Sequence, residues 1–182
     1  HGVVEPKPSL CPIWVKEKET AKELEGLSLK NVEANVFKDG RKICSQFGEM
    51  MFTANGISGP VVLTISAKIN KTDMKNIAVS IDLKPALTTD ELDKRVLGDF
   101  GKYSNKEFKN ALNDLLPKKL IPVIVKLSEI PENTKVNLIS SKMRKKLVNL
   151  LKNFTFNVLS LAPISEAVVT SGGINVKEIN PK

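Results

Sequence analysis

Apolar and polar residues alternate along the first third of the chain. Val32, Ala34 and Val36 interleave with Glu33 and Asn35, the period-two pattern of a strand with one buried face and one wet face. Extended runs at 27–38 and 41–47 flank Asp39-Gly40. An Asp-Gly pair between two such runs predicts a hairpin, because the turn needs a positive φ. A β run continues over 49–53, and 10–15 reads as a short apolar strand that Pro12 makes an edge. Ile77, Val79, Ile81 and Leu83 repeat the alternation and predict another strand. Between these lies Gly56-Ile57-Ser58-Gly59-Pro60, followed by a β-branched apolar stretch over 61–69. Pro60 suits the first position of a helix with Ser58 or Gly59 near the N-cap, so this stretch is predicted to be a buried helix.

The period then changes. Thr88-x-x-Glu91 and Ser104-x-x-Glu107 both have the form of a capping box, in which side chains satisfy the free N–H groups of a helix start. Leu92, Val96 and Phe100 follow the first at helical spacing; Phe108, Leu112 and Leu115 follow the second, up to Pro117. Leu120, Ile121, Ile124 and Leu127 predict a third helix. Ser140 opens a fourth with Met143, Leu147, Leu150 and Leu151 on its apolar side. Helices this short are marginal alone and must pack on one another. The last stretch returns to β at 154–161 and 166–170. The fold class is therefore α+β: a β-barrel-like subdomain (1–85 plus 153–182) with a small helical bundle (86–152) inserted into it.

The chain of 182 residues is 41% hydrophobic but only 5% aromatic, so its core is built mainly from Val, Ile and Leu. No apolar run approaches a membrane span, and the N-terminus lacks the pattern of a signal peptide. With two cysteines, Cys11 and Cys44, neither a disulfide framework nor a zinc site is expected. Cys44 sits in a strand pattern where a thiol is a small core residue. A cytoplasmic location is the expectation.

The net charge is +8, and it is unevenly spread. Positions 1–83 hold 11 basic and 10 acidic residues, positions 84–152 hold 15 and 8, and positions 153–182 hold two of each. A basic middle segment can bind nucleic acid or another anionic partner. Against this, it has 13 Lys and two Arg, Arg95 and Arg144, and Arg is the residue favoured for bidentate phosphate contacts. Solvated helix faces written in lysine are the plainer expectation.

The single histidine is His1, and no dinucleotide fingerprint, P-loop or metal-binding helix motif occurs. No catalytic residue and no metal ligand is predicted. Two glycine-rich segments remain. Gly56 to Pro60 places free N–H groups at a helix entrance, a geometry that can hold an anion or serve as a tight connection. Thr170, Ser171, Gly172 and Gly173 can present bare backbone to a flat group, or form a bulge. A partner for Gly172-Gly173 is expected outside this sequence, which reads as a piece of a larger protein.

Four motifs occur in a specific order: Pro6-x-Pro8-Ser-Leu-Cys-Pro-Ile13, Phe47-Gly-Glu-Met-Met-Phe-Thr53, Gly56-Ile-Ser-Gly-Pro60, and Val169-Thr-Ser-Gly-Gly-Ile174 with Glu178-Ile-Asn-Pro-Lys182. Together they resemble the bacterial NAD(P)/FAD-dependent oxidoreductases known as aminoacetone oxidase or BaiN-like flavoproteins. The resemblance implies that this chain is the insert of a split FAD-binding domain, a region that caps the flavin and shapes the substrate pocket. It implies FAD in the parent protein, NAD(P)H as a possible donor, a small-molecule substrate, and the FAD-binding domain of the same polypeptide as partner. Thr170, Ser171, Gly172 and Gly173 would lie near the cofactor. Gly56, Ile57, Ser58, Gly59 and Pro60 would line the substrate pocket. Relatives often carry a histidine and an aromatic or apolar residue just before that turn, where this sequence has Ala54 and Asn55. Alone, the chain is expected to be inactive, to bind no FAD, and to self-associate through the face left open.

Overall fold

A computed structural model describes residues 2–175. His1 and the Glu178-Ile-Asn-Pro-Lys182 motif lie outside them. In chain order the elements are β1 (Val3–Ser9), β2 (Ile13–Val15), α1 (Lys18–Glu23), β3 (Ser28–Lys38), β4 (Arg41–Thr53), β5 (Gly56–Ser58), α2 (Pro60–Ile69) and β6 (Ile77–Asp82). They continue with α3 (Thr89–Lys102), α4 (Ile121–Ser128), α5 (Ser141–Lys152), β7 (Phe154–Leu161) and β8 (Val169–Ile174).

Six strands close into an antiparallel barrel in the order β2-β5-β4-β3-β6-β7. The hairpin turns at Asp39-Gly40, whose φ values are 49° and 77°, the doubly left-handed turn that Asp-Gly favours. Alternation does the rest. Val32, Ala34 and Val36 from β3, Val79 and Ile81 from β6, and Phe154, Phe156 and Val158 from β7 all point inward. Phe52, Phe154 and Phe156 form a tilted aromatic cluster with centroids 4.8 to 6.4 Å apart. Each such side chain contributes roughly 1.5–3 kcal/mol on burial. Helix α2 packs on β4 and buries Val61, Val62, Ile65 and Ile69.

Helices α3 to α5 fall between β6 and β7. Thr88 and Glu91 form the expected capping box, and Leu92, Val96 and Phe100 are buried. Ser140 caps α5 by accepting from the Met143 N–H. Helices and barrel share one contiguous apolar core. No described helix is long and apolar enough to cross a membrane.

Several expectations are corrected. The strand near Pro12 is no edge: β2 pairs with both β5 and β7, and Pro12 stands just outside it. Ser104-x-x-Glu107 does not start a helix. Phe108 and Lys109 donate their N–H groups to Thr134 and Glu132, Glu107 bridges to Lys135, and only a 3-10 turn forms over Phe108–Asn110. Tertiary partners outcompete the cap there, and Phe108, Leu112 and Leu115 are buried without a helix. Leu127 is exposed rather than apolar-facing. Cys11 is the fully buried thiol, while Cys44 is half-buried. Residues 166–168 precede β8 rather than extend it, since Glu166 closes a 3-10 turn. Helix α1 and strand β1 carry no clear periodic signal; β1 contains Pro6 and Pro8, which a two-stranded ribbon tolerates. That ribbon, β1 with β8, stands apart from the barrel sheet.

Candidate functional site

The Gly56 to Pro60 segment is built into the barrel wall. Gly56, Ile57 and Ser58 form β5 between β2 and β4. A Cβ on Gly56 would stand 2.0 Å from the Ile13 carbonyl oxygen, and one on Gly59 would stand 2.9 Å from the Met50 Cα. Both glycines therefore permit close strand approach, and Gly59 also needs its φ of 90°. Gly59 is the N-cap of α2, with Pro60 opening the helix as expected. Gly56 and Ile57 are buried, Ser58 and Gly59 half-buried, and Pro60 exposed. What this segment can offer a ligand is the helix entrance at Ser58, Gly59 and Pro60.

Thr170, Ser171, Gly172 and Gly173 lie in β8, and their partner is in this chain. Thr170 pairs with Pro8, Ser171 with Lys7 and Gly173 with Val4, around a register shift between Val4 and Lys7. Gly172 sits against that irregularity: a Cβ there would come within 2.6 Å of the Glu5 carbonyl oxygen. The close approach made by Gly172 is thus to β1, which corrects the expectation of a partner elsewhere. The Ser171 hydroxyl accepts from the Asn70 side-chain amide at 2.8 Å, tying the ribbon to the end of α2. Gly173, with φ 107°, has open space where a Cβ would stand. A shallow cavity of about 420 Å³ is lined by its neighbours Gly172 and Ile174, with Lys7 and Lys71 at its edge. The two glycine segments are not brought together. One is at the N-terminus of α2 and the other at its C-terminus, about 15 Å apart along a ten-residue helix.

Residues 7–169 match the family described as HI0933-like protein barrel and H2TH domain. The chain belongs to that family. The ordered motifs resemble the same group. Across 184 aligned residues, 99% of this HI0933-like chain is 30% identical to a ribosomal RNA dihydrouridine synthase of Haemophilus influenzae, covering 42% of that protein. A 3-dehydro-bile acid delta(4,6)-reductase of Clostridium scindens is 28% identical over 78% of the chain and 36% of its own length. A ribosomal RNA dihydrouridine synthase of Escherichia coli is 26% identical over 73% of the chain and 31% of its own length. The chain spans less than half the length of each of these relatives.

The HI0933-like chain offers no metal site among its described residues. Burial pushes the pKa values of the Cys11 and Cys44 thiols up, which disfavours the thiolate. Glu49 is exposed, and Asp82 is held by Lys152 at 2.7 Å. Several ionic groups in the helical unit are engaged with one another. Arg144 grips Asp93 through two nitrogens at 2.8 and 3.2 Å and holds its carboxyl below the usual range. Tyr103 and Lys102 both donate to Asp114, depressing its pKa and raising that of Lys102. Lys84 differs. It is half-buried, and desolvation together with the nearby Arg95 charge lowers its pKa. Lys84 carried no signal in the sequence, since a Lys before Pro85 reads as an ordinary loop residue.

A flavin can be tested against these residues. Gly173 and the exposed Thr170 leave an uncrowded backbone edge beside the apolar ribbon, which fits one flat side of such a group. Ser171 is committed to Asn70 and Gly172 to β1. The described residues would therefore suit one flat side of a flavin and not its phosphates.

Proposed function

We propose that this chain is the substrate-facing region of a flavin-dependent reductase that saturates a carbon–carbon double bond conjugated to a carbonyl. The observation that carries this reading is the β1–β8 ribbon. It pairs Val3 with Ile174 and Val4 with the open backbone of Gly173 at one end and carries Val169 opposite Ser9 at the other, with all four apolar side chains exposed. Four exposed apolar residues on a bare two-stranded ribbon make a docking surface for another domain. In this reading that domain carries FAD, with Thr170 and Gly173 lining one side of it. The entrance of α2 at Ser58, Gly59 and Pro60 borders the substrate pocket. A flavin supplies hydride; this chain supplies position and exclusion of water.

The relatives' names support the reaction class. Dihydrouridine is uridine with its ring double bond saturated, and a delta(4,6)-reductase removes unsaturation from a 3-oxo steroid; both bonds are conjugated to a carbonyl. Of the two substrate types, RNA is the one favoured here. The segment 84–152 carries 15 basic and 8 acidic residues, a charge better matched to a polyanion than to the single carboxylate of a bile acid.

The test is the visible absorbance of the full-length protein containing this chain, with the 182-residue chain measured beside it. A flavin band in the first and none in the second is expected. Uridine-containing RNA and NAD(P)H should then give loss of the uracil chromophore. A full-length protein that is colourless and cannot be loaded with FAD defeats the reading.

A further inference from the structure

A second concavity lies at the seam where the helical unit meets the barrel. It encloses about 210 Å³. Its floor is aliphatic, made by Leu29, Leu83, Leu116 and Leu120, all at most 7% exposed. Lys30, Asn31 and Lys84 stand around it. Three chain segments distant in sequence meet there, from β3, from the connection after β6, and from the turn before α4.

The charges at this place are unbalanced. Neither the Lys84 ammonium nor that of Lys30 has a hydrogen-bond or ion-pair partner among the described residues. Two carboxylates near Lys84 are occupied: Asp82 by Lys152 at 2.7 Å, and Asp99 by Arg95 at 3.2 Å. Burial lowers the Lys84 pKa most, and the Arg95 charge, which outweighs the opposing Asp99, lowers it further. A half-buried ammonium held near a second cation costs solvation and repulsion, which Asp99 offsets only in part. An anion seated between Lys84 and Lys30 would remove both costs.

We propose that this seam cavity binds one nucleotide, with its phosphate on Lys84 and Lys30 and its base against the aliphatic floor. The choice of ligand rests on the RNA reading above; the uncompensated cations and the apolar floor do not depend on it. Asn31 stands at the rim as a donor and acceptor for a base edge. The volume admits a single base-sized group. A phosphate without an apolar body would leave the floor unused, and an apolar ligand without a phosphate would leave the lysines unpaired. The phosphate could belong to an RNA strand or to a free nucleotide.

The test is a titration of the isotopically labelled chain, followed by amide chemical shifts, with uridine, uridine 5′-monophosphate and a single-stranded oligouridylate. The expected result is perturbation at Lys30, Asn31, Lys84 and Leu120 by at least one phosphorylated ligand, and none by uridine. Lys84→Gln with Lys30→Gln should weaken binding about tenfold or more and flatten its salt dependence, by about 0.7 in log–log slope for each single-strand phosphate that no longer meets a lysine. Lys84→Arg should bind within about twofold of the original, since it keeps the charge. Neither lysine side chain has a hydrogen-bond or ion-pair partner among the described residues, so the variants should keep the dispersed spectrum of the parent. Binding of the oligomer alone assigns the phosphate to a strand, and equal binding of the mononucleotide assigns it to a free nucleotide. Perturbations confined to other regions, uridine binding as well as its phosphate, or a double Gln variant of unchanged affinity would each overturn the proposal. A colourless full-length protein with an intact lysine-dependent site would defeat the flavin reading and leave this one standing.

Discussion

At the scale of single residues, glycines divide into those that the fold needs and those that it tolerates. Gly56 is required, because its Cβ would collide with the Ile13 carbonyl at 2.0 Å and both strands are backbone that cannot step aside. Gly56→Ala should cost about 3 kcal/mol or more, read as a fall in the urea midpoint. Gly98, exposed on α3 with open space where a methyl would stand, should behave oppositely, and Gly98→Ala should add roughly 0.5–1 kcal/mol. The sequence marks both simply as Gly; only the facing strand tells them apart. Asp93 is a second case. Arg144 holds its carboxyl below the ordinary value of 3.8, so the folded pKa is the depressed one. The stability it lends is complete above that ordinary value and is lost as the pH falls through the folded pKa. Urea midpoints of the parent and Asp93→Asn should therefore differ most near neutral pH and converge in acid, with a neutral-pH cost of about 1–2 kcal/mol.

At the scale of elements, the joint between barrel and helices depends on Lys152. From the last turn of α5 it reaches Asp82 at the end of β6 and donates to the carbonyls of Lys84 and Leu87. It thus pins the outgoing connection at 83–88 beside the returning strand β7. Lys152→Met should leave the buried Asp82 carboxylate unpaired, at a cost of about 3 kcal/mol. Limited proteolysis should then cut within 83–88, and adding Asp82→Asn should recover part of the loss. Elements with strong local signals were legible here: the Asp39-Gly40 hairpin, the Thr88 capping box and the Ser140 cap all form as their sequences require. Ser104 to Glu107 offered the same signal and does not cap. The backbone donors of Phe108 and Lys109 found carbonyls at Thr134 and Glu132, more than 20 residues away, and sequence spacing cannot register that competition.

At the scale of the whole molecule, the open apolar ribbon has a measurable consequence. The 182-residue chain should self-associate with rising concentration through Val4, Val169 and Ile174. Val4→Lys with Val169→Lys should return it to a monomer in sedimentation velocity without lowering its urea midpoint. An unchanged association would place the contact elsewhere. The candidate site was half legible. The sequence singled out both glycine segments, but their separation by the length of α2, and the use of Gly172 by β1, needed the fold. Lys84 and Lys30 escaped notice altogether, because an unpaired charge is a property of three converging segments and not of any one.

What the sequence determined by itself was local and periodic: which stretches alternate, where helices begin, that the class is α+β, and that the basic excess falls in the middle. Those follow from side-chain period and cap chemistry, which act over a few residues. Tertiary structure alone decided closure of the barrel, the pairing of β1 with β8, the burial of Phe108, Leu112 and Leu115 without a helix, and the convergence of Lys30 and Lys84 on one cavity. Each of these depends on which distant backbone groups and charges compete for the same partner, and that competition exists only once the chain is folded.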